Sequence, residues 1–275
     1  MRGKSRRDHS YEEFIEELLE TGKDAFGLRL RNIEASGVSM NTAGIRSEHL
    51  LLSRRIDSRT YFVQDKRYGV TRELGVFEGR DRTLMSRARS ILKELDISRD
   101  EIRRVSVMTE YSQNFMVVDK RIKKKERVQE GQRLVRVDRQ VEGLPVWTSS
   151  LLLGLTRNKQ TGFLQMHWPE IPPWVTAEAL RLRNWIGREW NPPERDGVRV
   201  ESFEAGIVHS PAISFVMDIQ PAVRVIYSPS DSRFGKKPTL YLDRHGREII
   251  APRQFSAPPD HVRPSQTGRT ITPPR

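Results

Sequence analysis

The histidines are the first place to look for acid–base or metal chemistry, because the chain holds six of them and no cysteine. Without cysteine there are no disulfides, no thiolate nucleophile and no cysteine-based zinc site. His167 and Glu170 stand three apart in the string HWPE, a spacing that would bring two ligands together on a helix. Pro169 lies between them and the preceding residues read as a strand, so the pair reads as a loop packed by Trp168. His209 with Asp218 would meet only across neighbouring strands, and His245 with Asp243 sits in DRHG, which is good turn chemistry. A hydrolytic triad needs a nucleophile, a base and an orienting group, and no local string supplies that set or a Gly-x-Ser-x-Gly elbow. Neither phosphate-cradling glycine pattern occurs, and Gly69, Gly75 and Gly79 read as turns between short strands. The chain therefore reads as a non-enzyme with no cofactor and no metal.

Aromatic and basic residues offer binding instead. Trp147, Trp168, Trp174, Trp185 and Trp190 gather around a proline-marked segment that includes Pro169, Pro172 and Pro173. Side chains of this size ordinarily form packing between layers, and the functional alternative is an exposed aromatic groove for a peptide or glycan. The net charge of +12, with a pI near 10.2, is concentrated in three places. These are Arg2, Lys4, Arg6 and Arg7 at the start, the run Lys120, Arg121, Lys123, Lys124, Lys125 and Arg127, and the arginines beyond Pro252. The remaining body is close to neutral, whereas a folded nucleic-acid face normally carries its own basic stripe. The basic run fits a protruding hairpin loop whose charges also discourage edge pairing. It is the candidate anion-binding element, for nucleic acid or an anionic surface.

The elements that must position these residues follow from periodicity. Residues 1–9 and the tail from 252, which has six prolines, read as disordered. Ser10 and Glu13 form a capping box for a helix over 11–21, stopped by Gly22. Short strands are expected over 10–80 after that helix, in LRLRNI, EHLLLSRRI, TYFVQ and GVTRELGVFEG. Thr83 is placed to cap a second helix with Leu84, Ala88, Ile91, Leu92 and Leu95 on one face, followed by an antiparallel meander to residue 169. Thr176 opens a third helix, with Leu180, Leu182, Trp185, Ile186 and Trp190 buried, and strands follow to residue 251. The fold class is α+β: two modules, 81–169 and 170–251, each a helix packed on an antiparallel sheet.

Within the first module, Glu142–Gly143 turns the chain, Pro145 fixes its exit, and Val146, Leu151, Leu153 and Leu155 offer apolar surface. The string RLVRVDRQVEGLPVWTSSLLLGLTRNKQTGFLQ resembles the segment of PepSY and fungalysin/thermolysin propeptide domains in which a strand leads into a Gly-[Ile/Leu]-Pro-Val turn and a strand pair. Gly143, Leu144, Pro145 and Val146 match that motif one by one, and the preceding helix agrees with the cystatin-like arrangement of those domains. Two positions depart from the pattern: Thr148 stands where the family usually has glycine, and Arg139 replaces its glutamine. The resemblance covers roughly residues 83–168 and implies an inhibitory or folding-assisting module, not a catalyst. No His-Glu-x-x-His follows, which points to a free-standing regulator.

The expectation is thus a binding or regulatory protein for a protein or extended peptide, contacted through Gly143, Leu144, Pro145, Val146, Trp147 and Trp168. The alternative is nucleic-acid or anionic-surface binding through the basic loop and tails, with a steep loss of affinity in salt. No apolar run approaches the roughly 20 residues of a membrane helix. Glu12, Glu13, Glu16 and Glu17 interrupt any secretory signal after Met1. That points to the cytoplasm by default, or outside it if a longer start precedes Met1.

Overall fold

Apolar residues at alternate positions, such as Val135 and Val137 or Leu151 and Leu153, give the strands a buried face that the helices cover. The computed structural model describes residues 11–35, 42–55, 58–68, 77–112, 115–118, 121–125, 129–195, 197–210, 218–229 and 239–249. The helices are α1 (Tyr11–Asp24), α2 (Asp81–Glu94) and α3 (Pro173–Trp185), with a 3-10 turn at Arg99–Glu101. The strands are β1 (Glu34–Ala35), β2 (Thr42–Arg46), β3 (Leu50–Arg55), β4 (Thr60–Asp65), β5 (Ile102–Ser112), β6 (Phe115–Val118) and β7 (Arg121–Lys125). The second half adds β8 (Gln129–Val141), β9 (Leu144–Leu155), β10 (Thr161–His167), β11 (Val198–Ser210), β12 (Asp218–Pro229) and β13 (Thr239–Leu242).

The protein is α+β, with an antiparallel-dominated sheet. That sheet differs from the expected pair of separate modules. Eleven strands form one sheet in the order β1-β2-β3-β4-β10-β9-β11-β12-β13, with β8 on the other side of β9 and β5 beyond it. Strands from both sides of the 169/170 boundary are therefore hydrogen-bonded to one another. Among the described residues β6 and β7 pair with each other alone, so Arg121–Lys125 is a strand of a small hairpin and not a loop.

Several boundaries also move, each for a local reason. Gly22 does not end α1: a Cβ there would lie 2.8 Å from Leu52 Cδ2, so its missing side chain lets the helix lie close on β3. The chain turns at Gly27 instead, with φ +63°. LRLRNI is not a strand, whereas β3 and β4 fall within EHLLLSRRI and TYFVQ and their flanks. α2 begins at Asp81 with Arg80 as N-cap and no side-chain cap, and α3 begins at Pro173, three residues before Thr176. Proline is suited to that first position because its missing N–H would have no partner in the helix anyway. Trp190 lies beyond α3 but folds back, its carbonyl accepting from Gly187 N at 2.9 Å. The termini 1–9 and 252–275, Ser10, and the expected strand residues 69–76 and 213–217 lie outside the described residues.

One core unites α1 and α2 with the sheet. Leu18, Leu84, Ala88, Ile91 and Leu92 pack against Ile45, Leu52, Val63, Val135, Val137, Leu151, Leu153 and Leu164. The α3 side chains Val175 and Ala179 pack on Leu144, Val146 and Ile207, so α3 rests on β9 as well as on β11. Residues 135, 137, 139 and 141 alternate onto one face of β8, which puts α2 and α3 on the same side with Arg139 between them. Among the described residues no helix is long and apolar enough to cross a membrane.

Candidate functional site at the fork of the sheet

The Glu142–Gly143 turn creates the site by sending β9 back along β8. Both residues take positive φ, 49° and 73°, the conformation of a two-residue type I′ hairpin. Along its other side β9 has two successive neighbours, β10 over Ser150–Leu155 and β11 at Val146. The sheet forks there. On β8 the partners jump from Asp138–Ser150 to Arg139–Val146, leaving Trp147, Thr148 and Ser149 as an unpaired bulge at the fork. β11 approaches so closely that a Cβ on Gly206 would lie 2.5 Å from the Pro145 carbonyl oxygen.

This placement covers most of the residues expected to meet a partner. Leu144, Pro145 and Val146 are buried, Leu144 and Val146 beneath α3. Trp147 is buried against Tyr241, ring centroids 5.3 Å apart, with the Arg224 guanidinium 5.4 Å from its ring. Trp168 is buried in the α1–α2 core. Only Gly143, with Glu142 beside it, is exposed in this set. The segment thus shapes the fork from within.

Polar side chains line what those apolar ones leave. Arg139, 6% exposed, donates to Glu101 Oε2 at 2.9 Å and to the Pro169 carbonyl at 2.5 Å, while its guanidinium lies 5.2 Å from the Trp168 ring. Trp168 Nε1 donates to the same Glu101 oxygen at 3.0 Å. Burial pulls the Arg139 guanidinium below its ordinary range, opposed by the Glu101 charge and hydrogen bond. Guanidinium nevertheless stays charged, so Glu101 compensates a cation that would be costly to bury alone.

Beside this ion pair runs a chain of hydrogen bonds. Ser58 Oγ donates to Thr60 Oγ1 at 2.9 Å, Thr60 Oγ1 meets His167 Nδ1 at 2.8 Å, and His167 Nε2 meets His209 Nδ1 at 2.8 Å. The Thr148 hydroxyl accepts from the His209 backbone N–H at 2.8 Å. Both imidazoles are buried. Among the described residues, three buried polar atoms around the same bulge have no partner: Trp147 Nε1, Ser149 Oγ and His209 Nε2. Burial first, then the facing His167 and the Arg139 charge, drive His209 down to about 3. The buried histidine pair can hold or pass a proton along its own chain of hydrogen bonds.

The other sequence candidates fall elsewhere. His209 meets His167, and the Asp218 backbone pairs in register with Ser210. Glu170 is exposed beyond Pro169. In DRHG the Asp243 Oδ1 accepts the His245 and Arg247 backbone N–H groups at 2.7 and 2.9 Å. Partial burial alone would raise the Asp243 carboxyl, but those bonds and the Arg247 guanidinium outweigh it and hold it below the usual carboxylate range. Of the basic run, Arg121, Lys123, Lys124 and Lys125 lie on the backbone of β7, while Lys120 and Arg127 lie outside the described residues. No group of three metal-ligating side chains occurs among the described residues.

An open groove of about 510 Å³ lies between α3 and the DRHG turn, lined by Trp174, Leu182, Trp185, Pro221, Arg244 and His245 among others. Trp174 is 60% exposed at its rim. Two ion pairs border it, Arg181–Glu178 at 2.6 Å and Arg247–Asp243 at 2.7 Å. Of the five tryptophans, then, Trp147, Trp168 and Trp190 are packing, whereas Trp174 and the half-buried Trp185 face a cleft.

Sequence reasoning passed over the fork because its members are far apart in the chain. The two departures from the propeptide pattern were the available signal: Arg139 is the buried cation and Thr148 anchors the His209 backbone. No family model and no curated protein matches the chain. A solved structure of an uncharacterised protein from Eubacterium rectale is similar over 90% of this chain and 83% of that one, at 15% identity and a TM-score of 0.47.

Proposed function

We propose that the protein is a non-catalytic binding or regulatory module for a protein or extended peptide, similar in kind to the PepSY-like propeptide modules that its Gly143–Val146 turn resembles. The observation that carries this reading is Trp174, a large aromatic left exposed at the rim of the α3 groove. Tryptophan and arginine are the residues that most often dominate binding energy, and a groove supplies the enclosure they need. Three arginines and two carboxylates line it, Arg181, Arg244 and Arg247 against Glu178 and Asp243. The Arg244 Nε lies 3.0 Å from the His245 ring nitrogen and completes no carboxylate pair in the groove. That excess favours an extended peptide with an apolar anchor flanked by Asp or Glu.

Selection of short peptides from a display library on the intact chain tests this. The expected consensus is an aromatic or aliphatic residue beside an acidic one, with Trp174→Ala weakening the selected peptide about thirtyfold, the scale of a hot spot near 2 kcal/mol. Enrichment of nothing, or equal binding by the variant, would reject the groove. The alternative, anionic-surface binding, draws on the β6–β7 hairpin, which stands apart from the main sheet and carries Arg121, Lys123, Lys124 and Lys125 within one strand.

A further inference from the structure

A cleft of about 330 Å³ that shares no lining residue with the α3 groove opens where four connections meet. These are the segment after α1, the β2–β3 turn, the end of β4 and the start of β10. Hydrogen bonds tie the walls together. The Thr161 hydroxyl donates to the Phe26 carbonyl at 2.7 Å, Leu28 N donates to the Gly22 carbonyl at 2.9 Å, and Lys66 N donates to the His49 carbonyl at 2.7 Å. Loops held in place by a folded scaffold are the usual carriers of ligand contacts.

After α1 the chain reads LRLR. Leu28 is buried and Leu30 packs on the core beneath α1, which leaves Arg29 and Arg31 exposed on the cleft. The carboxylates of the cleft are already engaged. Asp65 Oδ1 accepts the Arg67 backbone N–H and Nε at 3.0 Å each, and Asp65 Oδ2 accepts Arg67 Nη2 at 2.8 Å. Glu48 Oε1 lies 3.4 Å from His49 Nε2. Among the described residues no carboxylate pairs with Arg29 or Arg31. Three arginines against two carboxylates therefore leave the cleft positive, and the excess sits on these two guanidiniums. Asn32 and Gln160 add carboxamides to the same walls.

We propose that this cleft binds a small molecule by its phosphate monoester, held between the guanidiniums of Arg29 and Arg31. The choice of phosphate follows from the donors. A carboxylate has two oxygens, which a single guanidinium satisfies as a bidentate pair. A phosphate monoester has three acceptor oxygens and up to two charges, enough to engage two guanidiniums at once. The volume, at the lower end of small-molecule pockets, leaves room for an organic body beside the phosphate.

Backbone amide chemical shifts of the intact chain, titrated with phenyl phosphate and separately with benzoate, test the proposal. Phenyl phosphate should move the resonances of residues 27–32, 47–49 and 65–67 saturably. Benzoate, with the same ring and a smaller anion, should bind about tenfold more weakly, the scale of one charge-assisted hydrogen bond. Arg29→Gln and Arg31→Gln, both at exposed positions, should each weaken phenyl phosphate about tenfold, whereas Arg244→Gln in the α3 groove should not. Shifts that do not saturate, shifts spread over other basic segments, equal affinity for benzoate, or full affinity in both R29Q and R31Q would each overturn the proposal. The first three outcomes are read on the unaltered chain, so they decide the matter even if a variant fails to fold. Because the two clefts share no residue, failure here leaves the peptide reading of the α3 groove standing.

Discussion

At the scale of residues, the chain pays for its hairpin with an unusual choice. A type I′ turn wants Asn or Gly at its first central position, yet Glu142 takes φ 49° there. Glu142→Asn should stabilise the fold by about 0.5–1 kcal/mol, since Asn tolerates the left-handed region better than a longer side chain. Urea denaturation checks this, and a loss of stability would mean that Glu142 makes a contribution beyond the turn. The turn was legible because Glu-Gly between two apolar runs is a local signal. Arg139 was legible as a departure but not as a buried ion, because its partner Glu101 lies 38 residues away in sequence.

At the scale of elements, register matters more than propensity. β11 can lie against β9 because Gly206 leaves room for the Pro145 carbonyl, a contact that a Cβ at 2.5 Å would violate. Gly206→Ala should cost about 1–3 kcal/mol as an overpacked contact and loosen β11 in particular. Hydrogen exchange locates the effect: a loss spread evenly over β2–β4 as well would contradict a local cause. Helices and strands were mostly readable from their spacing of apolar residues. Their ends were not, as at Gly22, where close packing on Leu52 lets the helix continue through a residue that usually ends one.

At the scale of the whole molecule, the strands of the expected second module join the sheet of the first half through the pairing of β11 with β9. α3 buries Val175 and Ala179 against Leu144 and Val146 of β9, while its Leu182 packs with Ala205, Val223 and Tyr227 in a separate cluster, so the helix ties the two halves together. At neutral pH calorimetry should therefore show one cooperative transition for the intact chain. Two transitions at neutral pH would restore the picture of independent modules.

The linear chain by itself determined which segments alternate, which faces are apolar, and that Glu142–Gly143 reverses direction, because each of these depends on neighbours a few residues apart. Only the tertiary structure decided that Trp147 and Trp168 are covered, that Trp174 is not, and that His167 meets His209. Those outcomes depend on which strands pair across long stretches of chain, and β9 can take β8 on one side and both β10 and β11 on the other only once all of them have folded. Periodicity says which way a side chain points; it carries no record of what arrives to meet it.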